Sequence, residues 1–189
     1  MEGLEDYFFK TVEALAALPL VYHEIGLGEG ATFLAVKNFL ETHSTEHQCI
    51  GYECAEPEFS SLIPRLLKNG VKIFPDYSPA NGHTLYASSK PRPHFVPSTG
   101  NDLVFIDGCH CYRCVKADIL SCRKLKSGTL LFLHDSGVED LKRGSMQCSG
   151  PLAVHSVLYD MGILDKRNPF FEYVTQVNGA ATLVTIQVK

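Results

Sequence analysis

The chain has 189 residues, a formal net charge of −4, 45% hydrophobic residues and 20% charged residues. This length suits one domain with a full hydrophobic core and is short for two. The acidic balance leaves no basic stripe to bind nucleic acid, and no apolar stretch is long enough to span a bilayer. The first residues are acidic, unlike a signal peptide. We therefore expect a single cytoplasmic domain over residues 1–189.

The seven cysteines are odd in number and lack a disulfide-like spacing, which predicts reduced thiols. Residues 109–114 (Cys-His-Cys-Tyr-Arg-Cys) are similar to a zinc knuckle. No second ligand pair at a fitting distance completes that knuckle, so a structural zinc site is the less favoured interpretation.

The chain opens with an amphipathic helix, predicted over residues 4–18 of an N-terminal segment that ends at Pro19. A strand, three glycines at alternate positions and a helix to about Thr42 follow. The glycines are Gly26, Gly28 and Gly30. This order is typical of a nucleotide-type ligand site, because glycine allows close backbone approach and the helix start offers unpaired N–H groups.

Strands and helices alternate through most of the remaining chain. Strands are predicted over residues 20–25, 49–53, 71–74, 102–107 and 129–135, and helices over 57–66, 115–125 and from 149 onward. Residues 75–101 form a proline-rich insert loop, and 136–149 a second loop. Two β-rich runs, joined through Asn178-Gly179, close the chain as a hairpin. The pattern predicts an α/β fold with a doubly wound, mostly parallel sheet and an antiparallel edge.

Acids or histidines close four of the predicted parallel strands. They are Glu24, Glu53, Asp107 and the pair His134-Asp135. In such sheets the ligand crevice lies at the carboxyl ends of the strands, so we expect these side chains to converge there.

Two ligand classes fit the glycine turn. Gly26-x-Gly28-x-x-Ala31 followed by Glu53 satisfies a loose dinucleotide fingerprint, which would make the protein an NAD-dependent oxidoreductase. Glu24, just before the glycines, favours instead a cationic ligand with an α-amino group over a pyrophosphate. The closing hairpin also replaces a further βαβ unit, and no Tyr-x-x-x-Lys pair supports hydride transfer.

A longer motif points the same way. Phe105-Ile-Asp-Gly-Cys-His-Cys-Tyr112, with Glu24-Ile-Gly-x-Gly-x-Gly30, Gly51-Tyr-Glu53 and Gly128-Thr-Leu-Leu-Phe-Leu-His-Asp135, resembles class I S-adenosylmethionine-dependent methyltransferases. The resemblance covers roughly residues 20–135 and is closest to small-molecule O-methyltransferases with a Phe-Ile-Asp-Gly-x-His motif. It implies a Rossmann-like sheet of seven strands in the order 3-2-1-4-5-7-6.

The resemblance also assigns roles to residues. The residues around the methionine part of S-adenosylmethionine would be Glu24, Gly26, Gly28 and Gly30, with Asp107 also beside the cofactor. Glu53 would bind the ribose hydroxyls. Asp76 or Tyr77 would lie near the adenine, although Pro75 precedes them where the family usually has glycine.

The same resemblance implies a catalytic centre. Asp107, His134 and Asp135 would hold Mg²⁺ or another divalent metal, and His110 beside Asp107 would be the base, because an imidazole accepts protons near neutral pH. Structural interpretations stay open for three of these residues: Asp107 as a helix cap, His134 as a packed histidine and His110 as a solvent-facing structural residue. His23 is predicted to be structural.

We therefore predict a methyltransferase for a small hydroxylated acceptor, with metal assistance as an open question. A catalytically silent methyltransferase-fold binding protein is the alternative. We expect a small-molecule acceptor, no nucleic-acid or membrane partner, and leave a homodimer open.

Overall fold

The structure is a computed structural model that describes residues 2–27, 30–44, 46–52, 72–74, 101–108, 110, 112–136, 150–178 and 182–189. The strands are β1 (Leu20–Ile25), β2 (His47–Tyr52), β3 (Lys72–Phe74), β4 (Asn101–Ile106), β5 (Leu130–Leu133), β6 (Phe171–Asn178) and β7 (Thr182–Val188). The helices are α1 (Glu2–Ala16), α2 (Ala31–His43), α3 (Tyr112–Ser121), a 3₁₀ turn (Cys122–Lys124) and α4 (Gly150–Asp160).

The described strands form one sheet in the order β3-β2-β1-β4-β5-β7-β6. Strands β1 to β5 pair in parallel, and β7 runs antiparallel to both β5 and β6. The predicted doubly wound sheet, its strand order and its antiparallel hairpin are all confirmed. The order reverses between β1 and β4, which is where such sheets open a ligand crevice.

The two faces of the sheet bury separate clusters. On β4, Leu103 and Phe105 pack in one cluster with side chains of α1 and α2, while Val104 and Ile106 pack in the other with α3 and α4. Successive strand residues point to opposite faces, so a nearly continuous apolar strand supplies both clusters. The same alternation places Tyr22 and Glu24 of β1 on the α1 and α2 face.

Some boundaries differ from the sequence prediction. Helix α1 ends at Ala16, two residues earlier than predicted, and the side chain of Leu18 is 55% exposed instead of buried in the helix face. Pro19 explains the early end, because the residue before a proline is disfavoured in helical geometry and its neighbours lose the regular pattern. Strand β4 begins at Asn101, inside the predicted insert loop.

Other predictions lie outside the described residues. They are the helix over 57–66, most of the loop over 75–101 and all but the first residue of the loop over 136–149. Among the helices that the structure describes, none combines the length and apolar character needed to cross a membrane.

Candidate active site at the carboxyl edge of the sheet

The turn after β1 brings two strand ends into backbone contact. Gly26 has φ +82°, and a Cβ atom there would lie 2.4 Å from Gly108 Cα and 2.5 Å from the Asp107 carbonyl oxygen. Its amide donates to the Tyr52 carbonyl at 2.9 Å, and the Asp107 amide donates to the Ile25 carbonyl at 2.8 Å. Only glycine fits a left-handed position this close to another backbone. Gly26 therefore joins the ends of β1, β2 and β4.

Gly30 prepares the start of α2. It has φ 74° and its carbonyl accepts the Leu34 amide at 2.9 Å, the first bond of the helix. The amides at a helix N-terminus lack partners within the helix, so this turn directs donors toward the carboxyl edge. Gly28 lies outside the described residues.

Glu24 is an acid inside β1. Its side chain is 2% exposed and accepts a hydrogen bond from the Tyr22 hydroxyl. The burial of an acid is costly unless a partner or a ligand compensates it. A carboxylate in this position, two residues before the turn at Gly26, suits the binding of a cationic ligand group.

Four titratable side chains meet after β4 and β5. His134 Nδ1 lies 3.1 Å from Asp107 Oδ1 and 3.5 Å from Asp135 Oδ1, and His110 Nε2 lies 3.4 Å from Asp107 Oδ1. The four are partly exposed, Asp107 by 34% and His134 by 25%. The structure thus brings together the four residues to which the family resemblance assigned one catalytic centre.

The two imidazoles do not make directed hydrogen bonds to Asp107. Within the described part of the chain, the buried atoms His110 Nε2 and His134 Nδ1 have no partner with hydrogen-bond geometry, despite their short distances to the carboxylate. The contacts are therefore electrostatic.

The charges of this cluster support one another. Burial alone would lower the pKa of His134, but the neighbouring carboxylates of Asp107 and Asp135 outweigh it and raise that pKa to about 10. Burial opposes ionisation of Asp107, yet the contacts with His110 and His134 hold its pKa below the ordinary value. The pKa of Asp135 is also lowered, mainly by His134. These shifts favour a charged imidazole of His134 between the ionised carboxylates of Asp107 and Asp135.

The backbone directs Asp135 back toward this cluster. Asp135 has φ 51°, a left-handed conformation that aspartate tolerates better than most residues. The Ser136 hydroxyl donates to the Leu133 carbonyl at 2.8 Å, and its amide donates to the Thr182 carbonyl at 3.2 Å. These bonds end β5 at Leu133, short of the predicted end at residue 135, and turn the chain sharply.

Asp107, His134 and Asp135 fit a divalent metal. One ligand atom from each lies within 4.8 Å of the others, and His134 Nδ1 is buried without an aligned partner. Carboxylate oxygens suit Mg²⁺, and a nitrogen donor favours a transition metal. A metal ion would have to displace the proton of His134, because only neutral imidazole is a ligand.

The zinc-knuckle interpretation is not tested by the described residues. The side chain of Cys114 is fully buried, and Cys109 and Cys111 lie outside the described ranges. The predicted ribose ligand Glu53 and the predicted adenine neighbours Asp76 and Tyr77 also lie outside them.

Two features of β1 were missed from the sequence. Tyr22, which donates to Glu24, could have been found because residues i and i+2 of a strand share a face. On the opposite face, His23 Nε2 lies 3.1 Å from Asp102 Oδ1 and its Nδ1 lies 3.3 Å from the Tyr52 hydroxyl. No local pattern signals that second contact set, since its members come from three strands.

Comparison of the sequence with known protein families identifies the family of this chain. A methyltransferase domain family model matches residues 23–136, which is more than half of the chain. The match includes Glu24, Gly26 and the whole cluster from Asp107 to Asp135. No curated protein sequence matches the chain.

Solved structures share the fold. An S-adenosylhomocysteine complex of an O-methyltransferase from Bacillus cereus has a TM-score of 0.59 and 14% identity, over 97% of this chain and 79% of that one. An S-adenosylhomocysteine-bound methyltransferase from Podospora anserina has a TM-score of 0.61 and 15% identity, over 97% of this chain and 76% of that one. A third structure is an O-methyltransferase from Streptomyces achromogenes, involved in tomaymycin synthesis and bound to S-adenosylmethionine. It has a TM-score of 0.57 and 16% identity, over 95% of this chain and 78% of that one.

The sheet order, the glycine turn at Gly26 and the family match agree with one another. The chain belongs to the methyltransferase domain family and has the fold of class I S-adenosylmethionine-dependent methyltransferases.

Proposed function

We propose that the protein transfers the methyl group of S-adenosylmethionine to an oxygen of a small hydroxylated molecule, with the help of a divalent metal. The observation that carries this proposal is the cluster of Asp107, His110, His134 and Asp135, with distances of 3.1–3.5 Å, directly beside the turn at Gly26. The O-methyltransferases among its fold neighbours support an oxygen acceptor.

In this proposal the ends of β1 and β2 bind the cofactor. Glu24 receives the α-amino group, and the backbone of Gly26, Gly28 and Gly30 lies against the methionine part. Glu53 binds the ribose hydroxyls through its acceptor-only carboxylate. Asp76 or Tyr77 lies near the adenine, and Asp107 approaches the cofactor from β4.

His110 is the proposed general base. The acceptor oxygen forms a bond to the methyl carbon as the carbon–sulfur bond breaks, which leaves S-adenosylhomocysteine. The hydroxyl proton passes to His110, whose contact with Asp107 stabilises the imidazolium that results. The protein must also align the acceptor in line with the sulfur and exclude water.

Asp107, His134 and Asp135 are the proposed metal ligands. When bound, the ion would supply a Lewis acid that lowers the pKa of an acceptor hydroxyl. His134 and Asp135 would fix the position of Asp107 relative to His110, so the ligand set also orders the base.

Titration calorimetry with S-adenosylmethionine, S-adenosylhomocysteine and NAD tests the cofactor assignment. We expect binding of the first two and none of NAD. Glu24→Gln should weaken S-adenosylhomocysteine binding, while Glu172→Gln, an exposed acid on edge strand β6, should leave it unchanged. Absence of binding to either sulfur nucleoside would contradict the proposal.

Titration of Mn²⁺ and Mg²⁺ into the protein tests the metal assignment separately. We expect saturable binding that Asp135→Asn removes. The control Asp6→Asn, an exposed acid on α1 paired with Lys10, should retain it. Equal binding by both variants would overturn the ligand set without affecting the cofactor assignment.

The second candidate is a cofactor-binding protein without turnover. It predicts that S-adenosylhomocysteine binds, yet no hydroxylated acceptor supports its formation from S-adenosylmethionine. We further propose that residues 1–189 act as one cytoplasmic domain without a nucleic-acid or membrane partner. Sedimentation analysis would decide between monomer and homodimer.

A further inference from the structure

Tyr22 holds the carboxylate of Glu24 from within β1. The two side chains alternate along the strand and share one face of the sheet, and the Tyr22 hydroxyl donates to Glu24 Oε2. Tyr22 is fully buried and Glu24 nearly so. A hydrogen bond to a buried carboxylate is stronger than one between neutral groups.

The phenol ring of Tyr22 is buried between aromatic side chains of α1 and α2. Its centroid lies 5.9 Å from the ring of Phe33 on α2 and 6.4 Å from the ring of Phe8 on α1. Phe33 lies in the first turn of α2, three residues after Gly30. The ring that carries this hydroxyl therefore packs against the helix that begins at the glycine turn.

We propose that Tyr22 is a positioning residue for cofactor binding, whose hydroxyl orients the Glu24 carboxylate toward the α-amino group of S-adenosylmethionine. This inference rests on the role of Glu24 given under the proposed function. A carboxylate offers about four acceptor sites on its two oxygens, so one carboxylate can accept from both a phenol and an ammonium group. Donation from a phenol also favours the anion, the form that an ammonium group requires.

A purely structural role makes a different prediction. A buried tyrosine hydroxyl usually finds an acceptor, and Glu24 could serve only to satisfy it. Loss of the hydroxyl would then affect the fold and all ligands alike. A positioning role affects only ligands that carry the amino group.

Calorimetry with two probes separates these roles. S-adenosylhomocysteine carries the amino acid part, and 5′-methylthioadenosine shares the adenosine and the thioether but lacks that part. For Tyr22→Phe we expect about tenfold weaker binding of S-adenosylhomocysteine, from the loss of one charge-assisted bond, and unchanged binding of 5′-methylthioadenosine. Tyr7→Phe, on α1 near Phe132, is the control and should bind both as the wild type does.

A double-mutant cycle provides the second measurement. In the Glu24→Gln background, Tyr22→Phe should no longer weaken S-adenosylhomocysteine binding, because the group that it positions has lost its charge. Urea unfolding of each variant verifies that the fold is intact.

The contrary outcomes are distinct. Equal weakening of both probes, or the same loss in the Glu24→Gln background, would overturn the positioning role and leave the proposed function intact. A wild-type protein that binds neither probe would overturn the proposed function and this inference together.

Discussion

Two histidine–aspartate pairs in this protein have the same separation and opposite surroundings. His23 Nε2 and Asp102 Oδ1 are 3.1 Å apart, and so are His134 Nδ1 and Asp107 Oδ1. The side chain of His23 is 1% exposed, whereas that of His134 is 25% exposed. The first pair lies within the sheet layer, and the second at its carboxyl edge.

The partners beyond each pair show what the difference means. His23 has the Tyr52 hydroxyl on its other ring nitrogen, so that β1, β2 and β4 are tied together inside the core. His134 has Asp135 as a second carboxylate, and His110 approaches the same Asp107. We infer that the buried pair contributes to stability and the edge cluster to chemistry. Equivalent substitutions in the two pairs test this distinction.

The largest expected effect is on turnover. Asp107→Ala should lower the methyl-transfer rate by about 10²–10⁴-fold, the range for a positioned acid–base group. The measurement is the initial rate of S-adenosylhomocysteine formation at saturating cofactor. A rate within a few-fold of the wild type would remove Asp107 from the mechanism.

The matched substitution in the buried pair should act on stability. Asp102→Ala should lower the free energy of unfolding by about 2–4 kcal/mol, because it leaves the buried His23 imidazole without its carboxylate partner. Urea unfolding provides the value, and turnover per folded molecule should stay near that of the wild type. If Asp107→Ala destabilised the fold more than Asp102→Ala, the contrast between the pairs would be wrong.

The edge cluster should also give stability a pH dependence in metal-free protein. The pKa of His134 is about 10 in the fold and lies near 6.5 when unfolded, so its contribution is complete below pH 6.5 and is lost as the pH rises through 10. We expect a loss on the order of 2 kcal/mol after solvent screening. Urea unfolding between pH 6 and pH 10 with a chelator measures this loss. His134→Asn should remove the difference, and a slope that this variant retains would assign the effect to other groups.

The smallest effect is expected where both members of the buried pair become apolar. His23→Leu combined with Asp102→Leu should unfold within about 1 kcal/mol of the wild type, since well-packed apolar side chains often replace a buried pair without loss. Urea unfolding of the double variant is compared with Asp102→Ala. A double variant less stable than Asp102→Ala would mean that the pair is needed for the fold itself.

The strand ends were predictable because burial and function leave local traces. A continuous apolar run predicts a central parallel strand, and an acid that ends it stands at the ligand edge, which correctly brought Asp107 and the pair His134-Asp135 together. Gly26 was predictable because it belongs to the glycine pattern that follows the first strand. The structure shows why glycine is required there: its backbone is left-handed, and a side chain would collide with Gly108.

What the sequence did not reveal depends on contacts across strands. His23 and Asp102 are 79 positions apart, and only the pairing of β1 with β4 brings them within bonding distance. The prediction that Leu18 belongs to the buried face of α1 was wrong, because the helical periodicity of the sequence continues after the chain has left the helix. The orientation of Asp135 depends on a left-handed backbone conformation. Aspartate tolerates this conformation but does not require it, so the residue type alone does not predict it.

The most direct test of the central claim is an assay of S-adenosylhomocysteine formation. The protein would be incubated with S-adenosylmethionine, Mg²⁺ or Mn²⁺ and a panel of small hydroxylated acceptors, with mass spectrometry of both products. We predict acceptor-dependent formation of S-adenosylhomocysteine and an O-methylated product, both lost in His110→Ala although the cofactor still binds. Bound cofactor with no product from any acceptor, or full activity in His110→Ala, would contradict the proposed mechanism.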